Sequence, residues 1–320
     1  MEYETAGDPM SGLKWTRKTT EKISQELKRV NINVGKTTVG KILKKIGFSL
    51  KSNSKKISNG GKSVTNEEQE KRDNQFKYIQ KTRAKFTKNN LPIESVDTKK
   101  KELVGNFKNP GTRLKCEADL TNDHDFLTYA LGKAALYGVY DQAKNIGYVS
   151  VGRFLLEGRS LSSSDTPEFA VESIERWWRN EGMKTYPNTK EILILADGGG
   201  SNGYRSNMWK VKLQEILCNK YELTVTVCHY PPGASKWNPI EHRLFSEITK
   251  NWQGTPLKNY ETVLKYTRTT KTNLGLKVKA VLVKKKYKKG LKASNYDLEN
   301  LNIHYHTVNP LWNYTISPTM

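Results

Sequence analysis

Cysteine, histidine and acidic residues are scarce in this chain of 320 residues, and its apolar residues form no long uninterrupted run. The three cysteines include no CxxC pair, which excludes a disulfide framework and a cysteine-rich zinc site. No stretch approaches the roughly 18 apolar residues that a membrane span needs. The first residues, MEYE, have neither the basic flank nor the apolar stretch of a secretory signal. We therefore expect a soluble protein of the reducing cytoplasm.

Basic residues, in contrast, are abundant and lie mostly near the two ends of the chain. Lys and Arg number 54 against 32 Asp and Glu, so the formal net charge is +22. Residues 1–58 hold 13 basic and 5 acidic residues, and residues 258–292 hold 12 basic residues and one acidic residue. This distribution favours a polyanionic partner that is bound by the basic residues near both ends of the chain. A lysine-rich surface that serves solubility alone is the alternative for the C-terminal run.

Two short amphipathic helices joined by a tight turn are predicted between Thr19 and Leu50. Apolar residues recur there at helical spacing: Ile23, Leu27, Val30, Val39, Ile42, Leu43 and Ile46. In a helix-turn-helix, the start of the second helix meets the DNA major groove. The polar and basic residues at that position are Lys36, Thr37, Thr38 and Lys41. An ordinary helical hairpin is the alternative, but the local positive charge favours DNA binding.

A larger α/β region is predicted after a polar linker (residues 51–64) and a polar helix (residues 66–87). The predicted strands of this region are 92–96, 102–107, 147–151, 191–196 and 223–228, and its predicted helices are 166–180, 206–220 and 239–251. Strands come first, and helices and strands then alternate. This order indicates a mixed sheet flanked by helices.

Three carboxylates occupy informative positions in that region. Asp97 and Asp197 each follow a predicted apolar strand, where open α/β sheets usually place their sites, and Glu241 begins a predicted helix. Three converging carboxylates repel one another unless a cation neutralises them, and all-oxygen ligation suits Mg²⁺ or Mn²⁺. Two such ions about 4 Å apart would serve phosphodiester chemistry. Turn or helix-cap roles are the alternative for the two aspartates.

Other residues offer rival or supporting roles. Residues 199–203 satisfy G-x-S-x-G, so Ser201 with His304 or His306 could form a serine hydrolase triad. The run 123–125 (DHD) is either a compact metal-ligand cluster or a polar turn. His229 could orient a phosphate or a carboxylate, or it could make a structural hydrogen bond.

Two cations close to Glu241, Lys236 and Arg243, could contact DNA, and a solvated face is the alternative for both. Lys99, Lys100 and Lys101 follow Asp97. If these lysines lie on a strand, they alternate between its two faces, so only some of them can point towards the carboxylates.

Several long motifs of the chain resemble those of the Rhodopirellula transposase family, which are DDE transposases of bacterial insertion sequences. These motifs are Ser95–Asn109 (SVDTKKKELVGNFKN), Ala196–Gly203 (ADGGGSNG), His229–Ser246 (HYPPGASKWNPIEHRLFS) and the early segment from Gly7 to Leu50. The resemblance covers most of the chain. It implies an RNase H-like mixed α/β sheet behind a small all-α helix-turn-helix domain.

The resemblance also implies the acidic triad Asp97, Asp197 and Glu241, two bound Mg²⁺ or Mn²⁺ ions, and DNA cleavage followed by strand transfer. Its expected partners are terminal-repeat DNA, target DNA and further copies of the chain in a synaptic complex, in the bacterial cytoplasm at the nucleoid. The expected organisation is a helix-turn-helix region (1–58), a linker and connecting helix (59–90), a catalytic domain (91–257) and a basic region packed on it (258–320).

Two departures from the family's pattern are also expected to matter. Family members usually carry more sequence ahead of the segment that begins here, so Met1 is expected to mark a truncated copy. Residues 154–164 (FLLEGRSLSSS) resemble an insertion. A DNA-binding remnant that no longer transposes is therefore the alternative to an active transposase.

Overall fold

The computed structural model describes residues 5–7, 14–16, 19–48, 65–154, 165–234 and 237–319, with side chains from residue 19 onwards. The predicted linker, the residue Lys236 and most of the expected insertion lie outside these ranges. The chain divides into two compact units, Met1–Val64 and Thr65–Met320. In the described part of the chain, no helix is both long and apolar enough to cross a membrane.

The first unit contains the two predicted helices. Its elements are an antiparallel pair of strands, β1 (Thr5–Gly7) and β2 (Lys14–Thr16), followed by α1 (Thr20–Arg29) and α2 (Lys36–Lys45). The side chain of Thr19 caps α1 by accepting a hydrogen bond from the backbone N–H of Lys22, at 3.2 Å. The existence of both helices is thereby confirmed.

Only two of the seven apolar residues at helical spacing in these two helices are buried. Ile23 and Val39 are buried, whereas Val30, Ile42 and Ile46 are exposed in the described structure. The physical reason is size, because two helices of ten residues have too little surface against each other to enclose every apolar side chain.

The second unit begins with α3 (Asn66–Lys88), whose first turn is closed by a capping box between Thr65 and Glu68. This helix matches the predicted polar helix. The other helices of the unit, within the described residues, are α4 (Pro167–Trp177), α5 (Met183–Thr185), α6 (Asn207–Leu213), α7 (Ser246–Trp252), α8 (Tyr260–Arg268) and α9 (Asn295–Glu299). Five-residue and six-residue π-helical segments extend α4 and α6, and a third, Glu241–Phe245, leads into α7.

A mixed sheet of eight strands forms the centre of the described second unit. Its strands are β3 (Ile93–Val104), β4 (Gly132–Asp141), β5 (Ile146–Phe154), β6 (Glu191–Ala196), β7 (Thr224–His229), β8 (Lys277–Val283), β9 (Ile303–Tyr305) and β10 (Asn313–Ile316). Their spatial order is β8-β5-β4-β3-β6-β7-β10-β9. The pairs β3–β6, β6–β7 and β5–β8 are parallel and the others antiparallel, which confirms the predicted mixed sheet flanked by helices.

One strand boundary needs correction. The two short strands predicted at 92–96 and 102–107 are one strand, β3, whose pairing with β4 shifts register between Lys99 and Glu102. A bulge of this kind lets a strand continue through a segment whose side-chain alternation is interrupted. The lysine-rich interruption is therefore an irregularity within β3.

The segment 258–320 supplies three of the strands. β8 pairs with β5 at one end of the sheet, and β10 pairs with β7 towards the other end. Part of its basic charge is used inside the unit, because Lys285 forms ion pairs with Glu168 (2.9 Å) and Glu172 of α4. Lys285 thus contributes to packing and is only partly available to an external anion.

Helices cover both faces of the sheet. On one face, α4 and α6 bury a core that includes Phe169, Ile174 and Trp209. On the other face, α7 and α8 pack over β4, β5 and β8, while α3 packs over β3, β6 and β7. The central strand β6 is therefore buried on both sides, and the functional residues are expected where its carboxyl end meets the surface.

Candidate active site

The parallel pairing of β3 with β6 brings two aspartates to the same point of the sheet. The last partners in this ladder are Val96 and Ala196, and Asp97 and Asp197 directly follow them. Asp197 lies just past the end of its strand, as predicted. Asp97 does not, because β3 continues along β4, where Asp97 lies opposite Gly138.

Asn238 links the helix that carries Glu241 to the strand that carries Asp97 through hydrogen bonds. Its buried side chain donates through Nδ2 to the carbonyl oxygen of Val96 at 3.2 Å, and its Oδ1 accepts from the Ser95 hydroxyl. Ser95 Oγ in turn accepts from the backbone N–H of Ile240 at 3.1 Å. Because these bonds involve the two residues before Asp97, they hold Glu241 over the same edge of the sheet.

Gly138 makes room for that helix. A Cβ atom at this position would lie 2.8 Å from Ile240 Cδ1 and 2.8 Å from a ring carbon of Phe245. Real Cβ atoms do not approach heavy atoms so closely. The absence of a side chain opposite Asp97 therefore allows the helix to lie against the sheet.

Backbone and amide donors fix the two aspartate side chains. Asp97 Oδ1 accepts from the backbone N–H of Thr98 at 2.7 Å. Asp197 Oδ1 accepts from the backbone N–H of Gly199 at 3.3 Å and from Asn202 Nδ2 at 3.1 Å. Asn202 is itself buried, so its amide is held in place by the fold. Each carboxylate is thus oriented before any ligand arrives.

The three carboxylates influence one another strongly. Burial raises the pKa of Asp97 well above its usual range, and the neighbouring charges of Asp197 and Glu241 raise it further. Burial also raises the pKa values of Asp197 and Glu241. Both neighbouring carboxylates therefore oppose the ionisation of Asp97.

The donor set suits a hard cation, although the ligands are not yet arranged around one. Three oxygen-only ligands that repel one another are chemically appropriate for Mg²⁺ or Mn²⁺. Among the described residues, however, no group of three His, Cys, Asp or Glu side chains is disposed so that it could hold a metal ion as it stands.

His229 contacts the backbone of Asp197 from the buried interior of the unit. Its Nδ1 lies 2.8 Å from the carbonyl oxygen of Asp197, and its Nε2 lies 3.2 Å from the Tyr314 hydroxyl. Burial lowers the pKa of His229 to about 4, so the ring is neutral. Since a carbonyl can only accept, Nδ1 donates to Asp197 and Nε2 accepts from Tyr314, whose oxygen accepts from Trp209 Nε1 at 3.0 Å. Two roles were left open for His229. This buried chain of hydrogen bonds corresponds to the structural role.

The predicted DNA contacts fall in different places. The residues Lys36, Thr37, Thr38 and Lys41 are all exposed at the start of α2, in the first unit. Arg243 is exposed two residues after Glu241. Lys236 lies outside the described residues. These positions suit contact with a phosphate backbone, and their binding of DNA stays a prediction.

The rival sites gain no geometric support. Ser201 is buried, and its hydroxyl lies 3.3 Å from Thr98 Oγ1. His306 is engaged by Tyr78 and Thr315 instead. The 123–125 run is a polar turn, with 89% of the Asp123 side chain and 65% of the His124 side chain exposed.

The sequence-based prediction gave no role to Ser95 or Asn202, and it included Asn238 only as part of the turn before Glu241. All three are small polar residues within motifs that carry the resemblance, but nothing in their type indicates a site. Their roles depend on which residue lies opposite them in space. Short polar residues beside a carboxylate in a long motif are the one signal that could have indicated them.

The family model described as "Rhodopirellula transposase DDE domain" matches residues 1–318. A comparison with curated proteins gives no match. Among solved structures, the chain is similar to the "Mos1 transposase paired-end complex with left transposon end" (14% identity, TM-score 0.45) and the "Mos1 mariner paired end complex with Mn" (15%, 0.44). Each alignment covers 78% of this chain and 65% of the other chain, so this chain spans about 65% of the length of those relatives.

Proposed function

Since this chain belongs to the Rhodopirellula transposase DDE domain family, we propose that it is a DNA transposase whose catalytic residues are Asp97, Asp197 and Glu241. The observation that carries this proposal is the convergence of the three carboxylates. Parallel pairing of β3 with β6 aligns the two aspartates, and the Asn238 hydrogen bonds bring Glu241 to them. The metal-binding residues are proposed to be the same three side chains, in an RNase H-like fold.

The proposed cofactor is a pair of Mg²⁺ or Mn²⁺ ions. Divalent ions, when bound, stabilise the attacking and leaving oxygens of an in-line displacement at phosphorus. The chain's own contribution is to orient the ligands: Thr98 holds Asp97, while Gly199 and Asn202 hold Asp197. His229 holds the backbone of Asp197 from the buried side.

The proposed reaction has two displacements at the same carboxylates. Water first attacks the phosphorus at the element end, and the 3′ oxygen of the element leaves with a proton. That 3′-hydroxyl then attacks a phosphodiester of the target DNA, and the 3′ oxygen of the target strand leaves. Both steps form one P–O bond and break another, so no external energy source is needed.

DNA is proposed to contact the basic parts of the chain. The exposed residues at the start of α2 would recognise the terminal repeats in a helix-turn-helix, and Arg243 would contact the backbone beside the carboxylates. Joining two element ends calls for a synaptic complex with at least two copies of the chain. A DNA-binding remnant without transposition activity is the second candidate, because the family match alone does not distinguish it.

A strand-cleavage assay tests the proposal. Wild type, Asp197→Asn and the control Asp123→Asn are incubated with the element's terminal DNA in Mg²⁺, in Mn²⁺ and in EDTA. Asp197→Asn should remove metal-dependent nicking while DNA binding is retained, because it removes a ligand and no phosphate contact. Asp123→Asn, in an exposed turn, should cleave like wild type. Binding without any cleavage by wild type would indicate the remnant, and full cleavage by Asp197→Asn would contradict the assigned site.

A further inference from the structure

Trp237 differs from the other described tryptophans in its exposure. The structure describes six tryptophan side chains, of which five are at most 8% exposed: Trp177, Trp178, Trp209, Trp252 and Trp312. Trp237 is 59% exposed. Single exposed apolar residues are common on protein surfaces, so the exposure alone decides nothing. A role for this indole depends on where it lies and on which residues hold it.

The fold holds Trp237 in a defined place. Its backbone N–H donates to the carbonyl oxygen of Ala234 at 2.8 Å. Its ring meets the Phe76 ring of α3 edge to face, with centroids 6.0 Å apart and planes at 70°. The next residue is Asn238, which is tied to β3. The indole therefore packs against α3, and the residue that follows it in the chain is bonded to β3.

Trp237 also lies close to the carboxylates. Four peptide units separate it from Glu241, so their Cα atoms are at most about 15 Å apart. Successive nucleotides of a stacked strand advance about 3.4 Å each. A base that touches the indole is therefore within a few nucleotides of a phosphate held at Asp97, Asp197 and Glu241. Arg243, exposed two residues after Glu241, is a cation in the same segment of the chain.

The chemistry of an indole selects an unpaired base. Inside a duplex both faces of a base are covered by its neighbours, so a side chain can stack only where a base is unpaired or ends a strand. Strand cleavage at the carboxylates creates such an end. Stacking on an aromatic ring tolerates any base, because every base has a π face.

We propose that Trp237 is a stacking platform for an unpaired nucleobase beside the phosphate being cut. The inference rests on the proposed function, since it requires DNA at the carboxylates. It assigns a binding role to a residue that contributes no metal ligand. Phe76 supports the platform by holding the indole edge.

Fluorescence of 2-aminopurine tests this inference directly. The full chain is titrated in EDTA into a single-stranded oligodeoxynucleotide carrying one 2-aminopurine, and separately into a fully paired duplex. Wild type should quench the probe by stacking. Trp237→Ala should bind the single strand roughly 5- to 150-fold more weakly and lose the quenching, with duplex affinity unchanged. Trp237→Phe should retain most of the single-strand affinity and most of the quenching. Because phenylalanine can also stack, this variant separates a loss of stacking from a folding defect.

The matched control is Tyr296→Ala, which removes another exposed aromatic ring, in α9. It should leave affinity and quenching at wild-type values. Equal quenching by wild type and Trp237→Ala would overturn the inference. Loss of self-association in Trp237→Ala with quenching intact would also overturn it, because the indole would then be a contact between copies of the chain. If wild type cuts and binds duplex but never quenches, the inference alone fails. If it binds neither DNA, the proposed function fails as well.

Discussion

Strand β3 carries two buried carboxyl groups three residues apart, and they have different surroundings. Glu94 is fully buried, and neither of its carboxyl oxygens has a hydrogen-bond partner among the described residues. It lies opposite Asp141 in the β3–β4 ladder. Asp97 is 7% exposed, accepts a backbone hydrogen bond, and meets two further carboxylates at the edge of the sheet.

The difference separates an enclosed buried acid from one that belongs to the proposed active site. Burial raises the pKa of both groups, and in each case a neighbouring aspartate raises it further. Asp141, however, is already satisfied by the Tyr186 hydroxyl at 2.8 Å and by backbone N–H groups, so the Glu94 end of the strand is closed. Asp97 faces carboxylates that are partly open to solvent. Access and the number of converging ligands, more than burial, therefore distinguish the site.

Substituting each acid by its amide gives the largest expected contrast. Asp97→Asn should lower metal-dependent strand cleavage on the order of 10³-fold or more, because it removes a proposed ligand of the reacting centre. Glu94→Gln, on the same strand, should leave the cleavage rate within about twofold of wild type. Rates are measured with excess terminal DNA in Mg²⁺. Equal losses in the two variants would mean that β3 as a whole, and not the carboxylate cluster, matters.

The support of the cluster is expected to have an intermediate effect. Asn238→Ala removes the amide donor to the Val96 carbonyl and the acceptor of the Ser95 hydroxyl, so the free energy of unfolding should fall by about 1–3 kcal/mol. The cleavage rate should also fall, even at temperatures where the variant is folded. The control is Asn180→Ala, which removes hydrogen bonds to Tyr148 and Arg176. It should lose stability without losing activity. Thermal melts and cleavage rates together check this distinction.

The smallest expected effect on activity belongs to Glu94, whose contribution is to the pH dependence of stability. Its folded pKa is raised by burial and by Asp141, so the folded state holds a proton that the unfolded state releases near the ordinary glutamate pKa. The stabilising contribution of the protonated form is complete below that unfolded value and is lost as pH rises towards the folded pKa. Within this window, wild type should lose up to about 1.4 kcal/mol per pH unit relative to Glu94→Gln.

Urea melts of both proteins at several pH values between 5 and 8 measure this difference directly. Among the described residues, Glu94 interacts electrostatically with Asp141 on β4 and with Tyr186, so Asp141→Asn serves as the companion variant. It should reduce the pH dependence without abolishing it, since burial is the larger cause. A constant difference between wild type and Glu94→Gln would show that Glu94 does not change its protonation on unfolding.

Several elements could be predicted because their pattern is local. β6 has the predicted bounds, since a run of apolar residues between polar ones is typical of a strand buried on both faces. The helix α3 begins directly after Thr65, which forms a capping box with Glu68. In contrast, β4 has no predicted counterpart. Gly132 and Gly138 weaken its strand pattern, and the need for Gly138 appears only when the helix of Glu241 lies against it.

The chemistry of this protein could be read from its residues: which of them are acidic, where the charge lies, and that Asp97, Asp197 and Glu241 stand in long family motifs. Three features became visible only in the folded chain: β3 continues past Asp97, Asn238 joins the helix of Glu241 to that strand, and Trp237 is exposed. The physical reason is that local patterns report the period and composition of a segment. Pairing partners and cross-chain hydrogen bonds arise only between residues far apart in the chain.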